Sequence, residues 1–255
     1  MTIPDLSLQD KVALITGAKR GIGKSIALAF AEAGADVVIC TRMPEGSKLE
    51  AVADDIRKLG RTALAVQADV RNKADVDRLV KEATGKFGRI DILVNNAGIS
   101  QVIPLLEQSE EDWDKIIDTD LKGPFLCSQA AARVMIEHKG GNIINVTSIR
   151  GVRPRMHLGA YCIAKAAQLM LTKALALELA QYNIRVNSLA PSMIETAMTT
   201  PLLKRPGFME SFMHEVPLGR IAFESDMIGT ALFLASDASQ YITGESIFVD
   251  GGQLI

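Results

Sequence analysis

Short apolar segments alternate with longer amphipathic segments along this chain, and this alternation limits the possible folds more than any other feature. The apolar segments are rich in Val and Ile and lie at 11–16, 35–40, 62–67, 90–95, 142–147, 184–190 and 246–250. They lack a strict apolar–polar alternation. Such segments are typical of strands that are buried on both faces of a parallel sheet.

The intervening segments have the 3.6-residue period of helices. They lie at 22–33, 47–59, 73–87, 110–138, 159–181 and 225–236. In the third of them, Val76, Leu79, Val80 and Ala83 form one apolar stripe opposite charged residues. Strand and helix in repeated alternation predict an α/β fold, a doubly wound parallel sheet of seven strands with helices on both faces and right-handed crossovers.

Composition favours one globular domain spanning 1–255. Apolar residues make up 48% of the chain and charged residues 23%, and the net charge of -2 gives no reason to expect a nucleic acid or an anionic membrane as a partner. The first residues do not resemble a secretory signal, and no uninterrupted apolar run approaches about 20 residues. Cys40, Cys127 and Cys162 are too few for a disulfide framework or a zinc site, so we expect no metal and a cytoplasmic protein.

The segment at about 191–220 interrupts the alternation. It is rich in Met and Pro and falls between the sixth strand and the last helix. A long irregular insertion in a compact domain is often a lid over a binding site, but a surface loop with a small core of its own is an equal alternative. The residues that would line an apolar pocket, or close that small core, are Met193, Met198, Met209, Met213, Phe208 and Phe212.

A glycine-rich turn, TGAKRGIG at 16–23, follows the first strand and opens the first helix. Gly17, Gly21 and Gly23 allow a sharp turn and a close approach of a ligand to the backbone. The helix N-terminus supplies unpaired N–H groups and the positive end of a dipole. The spacing differs from G-x-G-x-x-G, so a purely structural turn is the alternative, but its position after an apolar strand favours a phosphate site.

The end of the second strand indicates which dinucleotide would bind. NAD enzymes of this architecture usually place an acidic residue there, whereas this chain has Thr41 followed by Arg42. Lys19 and Arg20, in the glycine turn, could reach the same position. Because cations accommodate a 2'-phosphate that a carboxylate repels, the sequence predicts NADP(H) as the cofactor.

Polar residues follow the fourth and fifth strands, where a doubly wound sheet binds its ligands. The sequence NNAG occupies 95–98, and Ser148 follows the fifth strand. Tyr161 and Lys165 stand four residues apart at the start of an alanine-rich helix and therefore share one face. A phenol has a pKa of about 10, and a neighbouring ammonium, together with the positive nicotinamide ring of the oxidised cofactor, favours its ionised form. We therefore expect a lowered pKa for Tyr161, which would make it a general acid and base.

In this order and spacing the motifs are similar to those of the short-chain dehydrogenase/reductase family, in its branch of about 250 residues. The resemblance covers essentially the whole chain and rests on TGAKRGIG, Asp69-Val70, NNAG, Ser148, Tyr161 with Lys165, and PSMIET at 191–196. It implies a Rossmann-type domain and direct hydride transfer between a nicotinamide and a carbonyl or secondary alcohol, with no metal.

The resemblance also implies roles for individual residues. Ser148 would bind the substrate oxygen, Tyr161 would transfer the proton, and Lys165 would hold the nicotinamide ribose. The cofactor-binding set that it implies, with the glycine turn and its cations included, is Gly17, Lys19, Arg20, Gly21, Ile22, Gly23, Thr41, Arg42, Asp69 and Val70 (adenine), Asn96, Ala97 and Gly98 (ribose), Tyr161, Lys165, and Pro191, Ile194 and Thr196 (carboxamide).

Two positions depart from the family pattern. Asp120 stands where the family often has an asparagine in a proton relay, so its carboxylate would lie near Lys165 and raise the pH at which the relay titrates. We include Asp120 as a doubtful member of the catalytic set and expect a tuned relay rather than an inactive enzyme. Ser192 replaces the glycine expected after Pro191, so the turn there is expected to differ. Cys162 is expected to be a small core residue.

The substrate is left open by the sequence. The loop 150–161 carries Arg150, Arg153, Arg155 and His157, which would suit an anionic substrate, but a solvated loop or subunit contacts would explain them as well. Overall resemblance favours 3-oxoacyl-carrier-protein reductases or sugar and gluconate dehydrogenases, assembled as homotetramers. The alternatives are a cofactor-binding regulator without turnover and a scaffold, but the presence of Ser148, Tyr161 and Lys165 favours the enzyme.

Overall fold

The fold is built on a seven-stranded parallel sheet. The computed structural model describes residues 5–42, 48–196, 199–204 and 207–255. The strands are β1 Val12–Thr16, β2 Asp36–Thr41, β3 Ala63–Gln67, β4 Ile92–Asn95, β5 Gly141–Val146, β6 Ile184–Pro191 and β7 Ser246–Val249. Their order across the sheet is β3-β2-β1-β4-β5-β6-β7, and every adjacent pair is parallel. The predicted fold class and the predicted strands are confirmed.

Helices cover both faces of the sheet. They are α1 Gly21–Glu32, α2 Lys48–Lys58, α3 Lys73–Phe87, α4 Glu110–Ile117, α5 Gly123–Glu137, α6 Gly159–Leu179, α7 Thr200–Leu203, α8 Phe208–Met213 and α9 Ile228–Ala235. One core packs α1, α2 and α9 against Ala13 and Ile15 of β1, and the other packs α3, α5 and α6 against Val12 and Leu14. Since successive strand residues face opposite cores, β1 must be apolar at every position.

Local sequence accounts for where helices begin and end. At the start of α3, the Asn72 side chain accepts hydrogen bonds from Ala74 N at 2.8 Å and Asp75 N at 3.4 Å. At its end, Gly88 adopts φ 76°, a left-handed conformation that glycine tolerates best. These two residues explain why the predicted span 73–87 matches the observed helix.

The long helix predicted at 110–138 contains one turn of π-helix, Asp118–Lys122, between α4 and α5. Two features of the sequence accompany this turn. The Thr119 hydroxyl donates to the carbonyl of Lys115 at 2.7 Å, and Pro124, near the start of α5, has no N–H to donate. Such turns interrupt regular helical bonding and are frequent at functional sites. This one carries the buried Asp120.

The segment 191–220 contains two short helices, α7 and α8, and forms a small core of its own. Phe212 is buried with Val216 and Ile221, and the rings of Phe208 and Phe212 stack with centroids 6.0 Å apart. Met193 and Met213 pack against the same cluster, whereas Met209 is 36% exposed. Met198 lies outside the described residues. The described residues of this segment therefore form the small core that the sequence analysis gave as one alternative.

Helix α6 is unusually apolar. By length and composition alone, the stretch Gly159–Tyr182 could cross a membrane, with a mean hydropathy of 1.2. Core helices of globular domains meet the same test. Here the helix packs on β6 and carries the buried polar residues Lys165, Gln168 and Thr172. Packing against the sheet therefore explains the apolar residues on the inner face of the helix, whereas Ile163, Met170 and Leu177 are exposed.

The sheet has its switch point between β1 and β4. From β1 the chain proceeds outward to β2 and β3, then returns to place β4 on the other side of β1. The loops after β1 and β4 therefore diverge at the carboxyl ends of the strands. Doubly wound sheets bind ligands in the crevice that this divergence opens.

Candidate active site and cofactor cleft

A cleft of about 360 Å³ lies at the carboxyl ends of the strands. It brings together all the predicted site residues apart from Gly23. Those that line it are Gly17, Lys19, Arg20, Gly21, Ile22, Thr41, Arg42, Asp69, Val70, Asn96, Ala97, Gly98, Asp120, Ser148, Tyr161, Lys165, Pro191, Ile194 and Thr196. Residues spread over 180 positions of sequence thus form one surface.

The glycine turn is fixed against the loop after β4. The Thr16 hydroxyl accepts from the backbone N–H groups of Asn96 and Ala97, both at 3.0 Å. The Asn96 amide donates to the carbonyls of Thr16 at 2.9 Å and Gly17 at 3.2 Å. Gly17 has φ 68°, and a Cβ there would lie 2.8 Å from the Ala97 Cα. Glycine is therefore required by both the conformation and the close approach.

Gly23 serves packing instead of lining the cleft. A Cβ on this residue would overlap the Asn96 amide nitrogen and would lie 2.8 Å from the Gly17 carbonyl oxygen. The third glycine therefore allows helix α1 to approach the loop after β4. Its predicted contact with the cofactor is not seen in the lining of the cleft.

The N-terminus of α1 fits a phosphate group. Arg20, the N-cap residue, makes no side-chain capping bond, and the first turn holds no acidic residue. The N–H groups of that turn have no partners within the helix, and they open onto the cleft. Arg20 and the exposed Arg42 line the cleft at its adenosine end, beside Thr41. The chemistry of these donors suits a dinucleotide with an additional phosphate.

Asp69 is held by a residue that the sequence analysis did not identify. Both of its carboxylate oxygens accept from Arg71, with the Arg71 Nε at 3.0 Å from each oxygen and Nη2 at 2.6 Å from Oδ2. The pKa of Asp69 is lowered, since Arg71 and its backbone N–H outweigh the burial of the carboxyl. Arg71 also lines the cleft. The sequence did contain a signal for this ion pair, because Asp69 and Arg71 have opposite charges and are only two residues apart.

Ser148, Tyr161 and Lys165 meet at the end of β5. Ser148 begins a short 3₁₀ turn, Ile149–Gly151, where its Oγ accepts from Arg150 N at 3.1 Å. Tyr161 lies in the first turn of α6 and Lys165 one turn further on. The Lys165 Nζ is 5.6 Å from the centroid of the Tyr161 ring. The helical spacing therefore places phenol and ammonium side by side, as predicted.

The Lys165 ammonium is buried, and three acceptors surround it. Its Nζ donates to the carbonyl of Val146 at 3.0 Å and to Gln168 Oε1 at 3.0 Å. The third neighbour is Asp120 Oδ2, at 3.3 Å. Lys165 is 4% exposed and Asp120 is fully buried. Two hydrogen bonds and one ion pair therefore fix the position of the charge.

The expected lowering of the Tyr161 pKa includes the charge of a bound oxidised cofactor, and the chain by itself has the opposite balance. Burial raises the pKa of Tyr161, and this effect outweighs the opposing charge of Lys165. Asp120 raises the pKa further, whereas the Ser148 hydroxyl lowers it. The sequence placed the cation correctly, but it gave no measure of how deeply the phenol is buried. Desolvation disfavours the charged phenolate.

Gln168 is the second residue that the sequence analysis missed. It is fully buried, and its Oε1 accepts from Lys165, whereas its Nε2 has no hydrogen-bond partner within the described part of the chain. A signal was present in the sequence. One polar stripe runs along this apolar helix, because its polar residues are separated by four, three and four positions. These residues are Tyr161, Lys165, Gln168 and Thr172. Thr172 continues this stripe to Asn145 through a hydrogen bond of 2.9 Å.

The arginines after β5 occupy three different environments. Arg150 is buried, so the expectation of a solvated loop is wrong for this residue, and burial beside Arg155 lowers its pKa. Arg153 forms an ion pair with Glu215 at 3.4 Å and donates a hydrogen bond to the carbonyl of Gln253 at 2.7 Å. Arg155 stacks on the Phe208 ring, with its guanidinium carbon 5.0 Å from the centroid.

The remaining residues that the sequence analysis singled out are His157, Ser192 and Cys162. His157 is exposed in the loop with φ 65°, and its carbonyl accepts from Ile103 N at 2.8 Å. Ser192 is absent from the positive-φ residues of the described chain, so a serine fits there without strain. Its hydroxyl donates to Gln253 Oε1. Cys162 is buried.

Comparisons with known proteins give one family. The family model described as Enoyl-(Acyl carrier protein) reductase matches residues 17–253. A 3-oxoacyl-[acyl-carrier-protein] reductase of Synechocystis sp. is 42% identical, covering 98% of this chain and 99% of that protein. The structure of a short-chain type dehydrogenase/reductase from Mycobacterium marinum has a TM-score of 0.92 at 42% identity, covering 97% of each chain. A gluconate 5-dehydrogenase from Burkholderia cenocepacia, in complex with NADP and tartrate, has a TM-score of 0.94 at 38% identity, covering 99% of this chain and 98% of that one.

A doubly wound sheet with a phosphate-binding turn and a serine, a tyrosine and a lysine at one cleft defines a class of dinucleotide-dependent oxidoreductases. Within that class, the chain belongs to the short-chain dehydrogenase/reductase family. It is an oxidoreductase acting on CH–OH or keto groups.

Proposed function

We propose that the protein is an NADP(H)-dependent reductase of 3-oxoacyl thioesters, with Tyr161 as the general acid. The observation that carries this proposal is the meeting of Ser148, Tyr161 and Lys165 at the cleft that also holds the glycine turn. The substrate class is supported by curated relatives from Synechocystis and Staphylococcus, which are 3-oxoacyl-[acyl-carrier-protein] reductases at 41–42% identity.

The chain's residues supply the proton and the orientation. Ser148 Oγ, which lies at the end of β5, donates a hydrogen bond to the substrate oxygen and stabilises the negative charge that develops there. Tyr161 Oη gives its proton to that oxygen as the ketone becomes an alcohol. In the reverse direction, the phenolate accepts the proton from the alcohol. Lys165 keeps a positive charge beside the ring. When bound, the nicotinamide supplies or accepts the hydride.

The preference for NADP(H) is proposed from the cations at the adenosine end of the cleft. Arg42 follows β2 at the position where an acidic residue would bind the ribose of NAD(H), and Arg20 of the glycine turn lines the same cleft. The gluconate 5-dehydrogenase from Burkholderia cenocepacia was solved with NADP. Asp69, oriented by Arg71, would bind the adenine amine.

The substrate is tested with a panel and both cofactors. The purified protein is mixed with NADPH or NADH and with a 3-oxoacyl thioester, a simple β-keto ester, a diketone or a keto sugar acid, and nicotinamide absorbance is followed. We expect NADPH oxidation to be fastest with the thioester. Faster turnover of the keto acid would reject the proposed substrate. Tight NADPH binding with no turnover on any substrate would favour a cofactor-binding regulator.

A second substrate class, sugar acids, is favoured by one observation. Arg150 and Arg155 lie close together between Ser148 and Tyr161, and the Arg155 Nη1 is buried without a hydrogen-bond partner among the described residues. Such donors suit a carboxylate or a phosphate of the substrate. Arg153, already paired with Glu215, provides a matched control.

The arginine substitutions separate an anion-binding role from a structural one. If the substrate is anionic, replacing Arg150 and Arg155 by Met will reduce kcat/KM for acidic substrates about tenfold more than for neutral ones, because a charge-assisted hydrogen bond is lost. The Arg153→Met variant will reduce both classes equally. Equal losses in all variants would exclude an anion site at this loop.

Assembly, lid and location are proposed from the family. We propose a cytoplasmic homotetramer, and light scattering on the purified protein checks it, since a monomer would reject the assembly. We also propose that 191–220 acts as a lid over the cleft, because Ile194 and Thr196 line the cleft while Phe208 and Met213 pack against the Phe212 cluster. Reduced proteolysis of this segment on NADPH addition supports the lid, and unchanged proteolysis contradicts it.

A further inference from the structure

The ammonium of Lys165 sits between a carboxylate and an amide that share it. Asp120 Oδ2 lies 3.3 Å from Nζ, and Gln168 Oε1 lies 3.0 Å from it. The Val146 carbonyl is the third acceptor. All of these groups are buried at the end of β5, where water cannot screen their charges. The charge that acts on Tyr161 is therefore that of the pair formed by Lys165 and Asp120, not that of the lysine alone.

Asp120 is held firmly in this position. Its Oδ1 accepts from Ile99 N at 2.8 Å, which fixes the other oxygen, Oδ2, toward the ammonium. A Cβ on Gly98 would lie 2.9 Å from that Oδ2, so the loop after β4 leaves just enough room for the carboxylate. The π-helical turn carries Asp120 into this space.

We propose that Asp120 is a positioning residue for proton transfer: its carboxylate holds the Lys165 ammonium against the end of β5 and offsets its positive charge at the Tyr161 phenol. This inference rests on the proposed role of Tyr161. The groups that act on Tyr161 are Lys165 and Cys162 on its own helix, Ser148 on the loop after β5, and Asp120 on the π-helical turn. Burial raises the pKa of Asp120, and the opposing effects of the Lys165 ammonium and the Ile99 N–H offset this rise only in part.

Asp120→Asn tests the charge without removing the packing. The asparagine oxygen can still accept from Ile99, but the ammonium loses its anionic partner. The positive field at Tyr161 then increases, and phenolate forms at lower pH. We expect the pH at which alcohol oxidation reaches half its maximum rate to fall by about one unit, the lower end of what one nearby charge produces.

Two further variants make the sign of the effect testable. Gln168→Glu places a second carboxylate on the same ammonium, and we expect it to move the profile to higher pH. Asp118→Asn removes the same charge from the same turn, but at an exposed ion pair with Lys122, and we expect it to leave the profile unchanged. Because Gln168→Glu and Asp120→Asn predict opposite shifts, either one tests the proposal if the other fails to fold.

A titration that does not depend on turnover separates this proposal from the proposed function. Ultraviolet difference spectra report phenolate directly, and subtracting the spectra of the matching Tyr161→Phe double variant isolates Tyr161 from Tyr182 and Tyr241. The measurement is made on the protein alone and with the oxidised cofactor. A lower apparent pKa of Tyr161 in Asp120→Asn, with no change in Asp118→Asn, supports the proposal. Identical titrations in wild type and Asp120→Asn, or an equal shift in Asp118→Asn, overturn it.

Discussion

Replacing Arg42 by Asp tests the cofactor preference. Arg42 lines the cleft after β2, is exposed, and lies beside Thr41 and opposite the glycine turn. In this position its guanidinium would bind the 2'-phosphate that distinguishes NADPH from NADH. The substitution exchanges that attraction for repulsion, and it restores the acidic residue that binds the ribose hydroxyls of NAD(H).

The size of the effect follows from the exposure of the site. A hydrogen bond to a charged group contributes about 1.5–3 kcal/mol, and the lower value applies to an exposed guanidinium. Repulsion between a new carboxylate and the phosphate adds about 1 kcal/mol at a few ångströms in water. Together these reduce kcat/KM for NADPH roughly 60-fold. New bonds to the ribose raise kcat/KM for NADH about fivefold, equivalent to about 1 kcal/mol.

The assay compares kcat/KM for NADPH and NADH with one keto substrate, and cofactor fluorescence gives the two dissociation constants independently of turnover. We expect the ratio to move toward NADH by at least about 100-fold. Lys81→Asp is the control, since it makes the same change of charge on an exposed face of α3 that does not line the cleft. A ratio within about threefold of wild type, or an equal change in the control, would refute the assignment of the phosphate to Arg42.

Two other predictions concern the glycine turn and stability. Gly23→Ala will displace the Asn96 amide from its two carbonyl partners, so we expect NADPH binding to weaken at least about tenfold and the melting temperature to fall. The control is Gly85→Ala, in open space on α3, which will leave NADPH binding unchanged. Wild-type NADPH affinity in Gly23→Ala would contradict the packing argument. Arg220 and the Phe223 N–H lower the pKa of Asp226 to about 2, so its contribution to folding is present above about pH 4 and is lost as pH falls toward 2. The side chain is 27% exposed, so screening by solvent reduces this contribution to about 1 kcal/mol. In urea unfolding we therefore expect Asp226→Asn to have a free energy of unfolding about 1 kcal/mol below that of wild type at pH 5 and equal to it at pH 2.

The sheet was predictable because each strand is specified locally. Every position of β1 faces one of two cores, so its apolar character is visible in five consecutive residues. The helix limits were predictable where a capping residue is present, as with Asn72 and Gly88. For the segment 191–220 the sequence left two alternatives open, because its small core depends on contacts between Phe212 and residues outside the helix that carries it.

The sequence predicted which residues form the site better than it predicted the pKa values of those residues. Tyr161 and Lys165 share a helix, so their proximity follows from spacing alone. Asp120 contacts the same ammonium from a different element, so this contact does not follow from helical spacing. Gln168, which also contacts the ammonium, was not identified because it lies in an otherwise apolar helix. Whether a phenol is easier or harder to ionise depends on the balance between burial and these charges. That balance is a property of the folded protein, which is why the sequence did not predict that burial raises the pKa of Tyr161 in the chain by itself.

The most direct test of the proposed chemistry is NADPH-dependent reduction of a 3-oxoacyl thioester by the Tyr161→Phe variant. Removing one hydroxyl from this partly buried ring should leave NADPH binding within about threefold of wild type, because the ring and the lysine remain. It should lower kcat by about 10²–10⁴-fold, the usual contribution of a general acid. Tyr241→Phe, at a fully exposed tyrosine, should behave as wild type. A Tyr161→Phe variant that keeps more than a tenth of the wild-type kcat would contradict the role assigned to Tyr161.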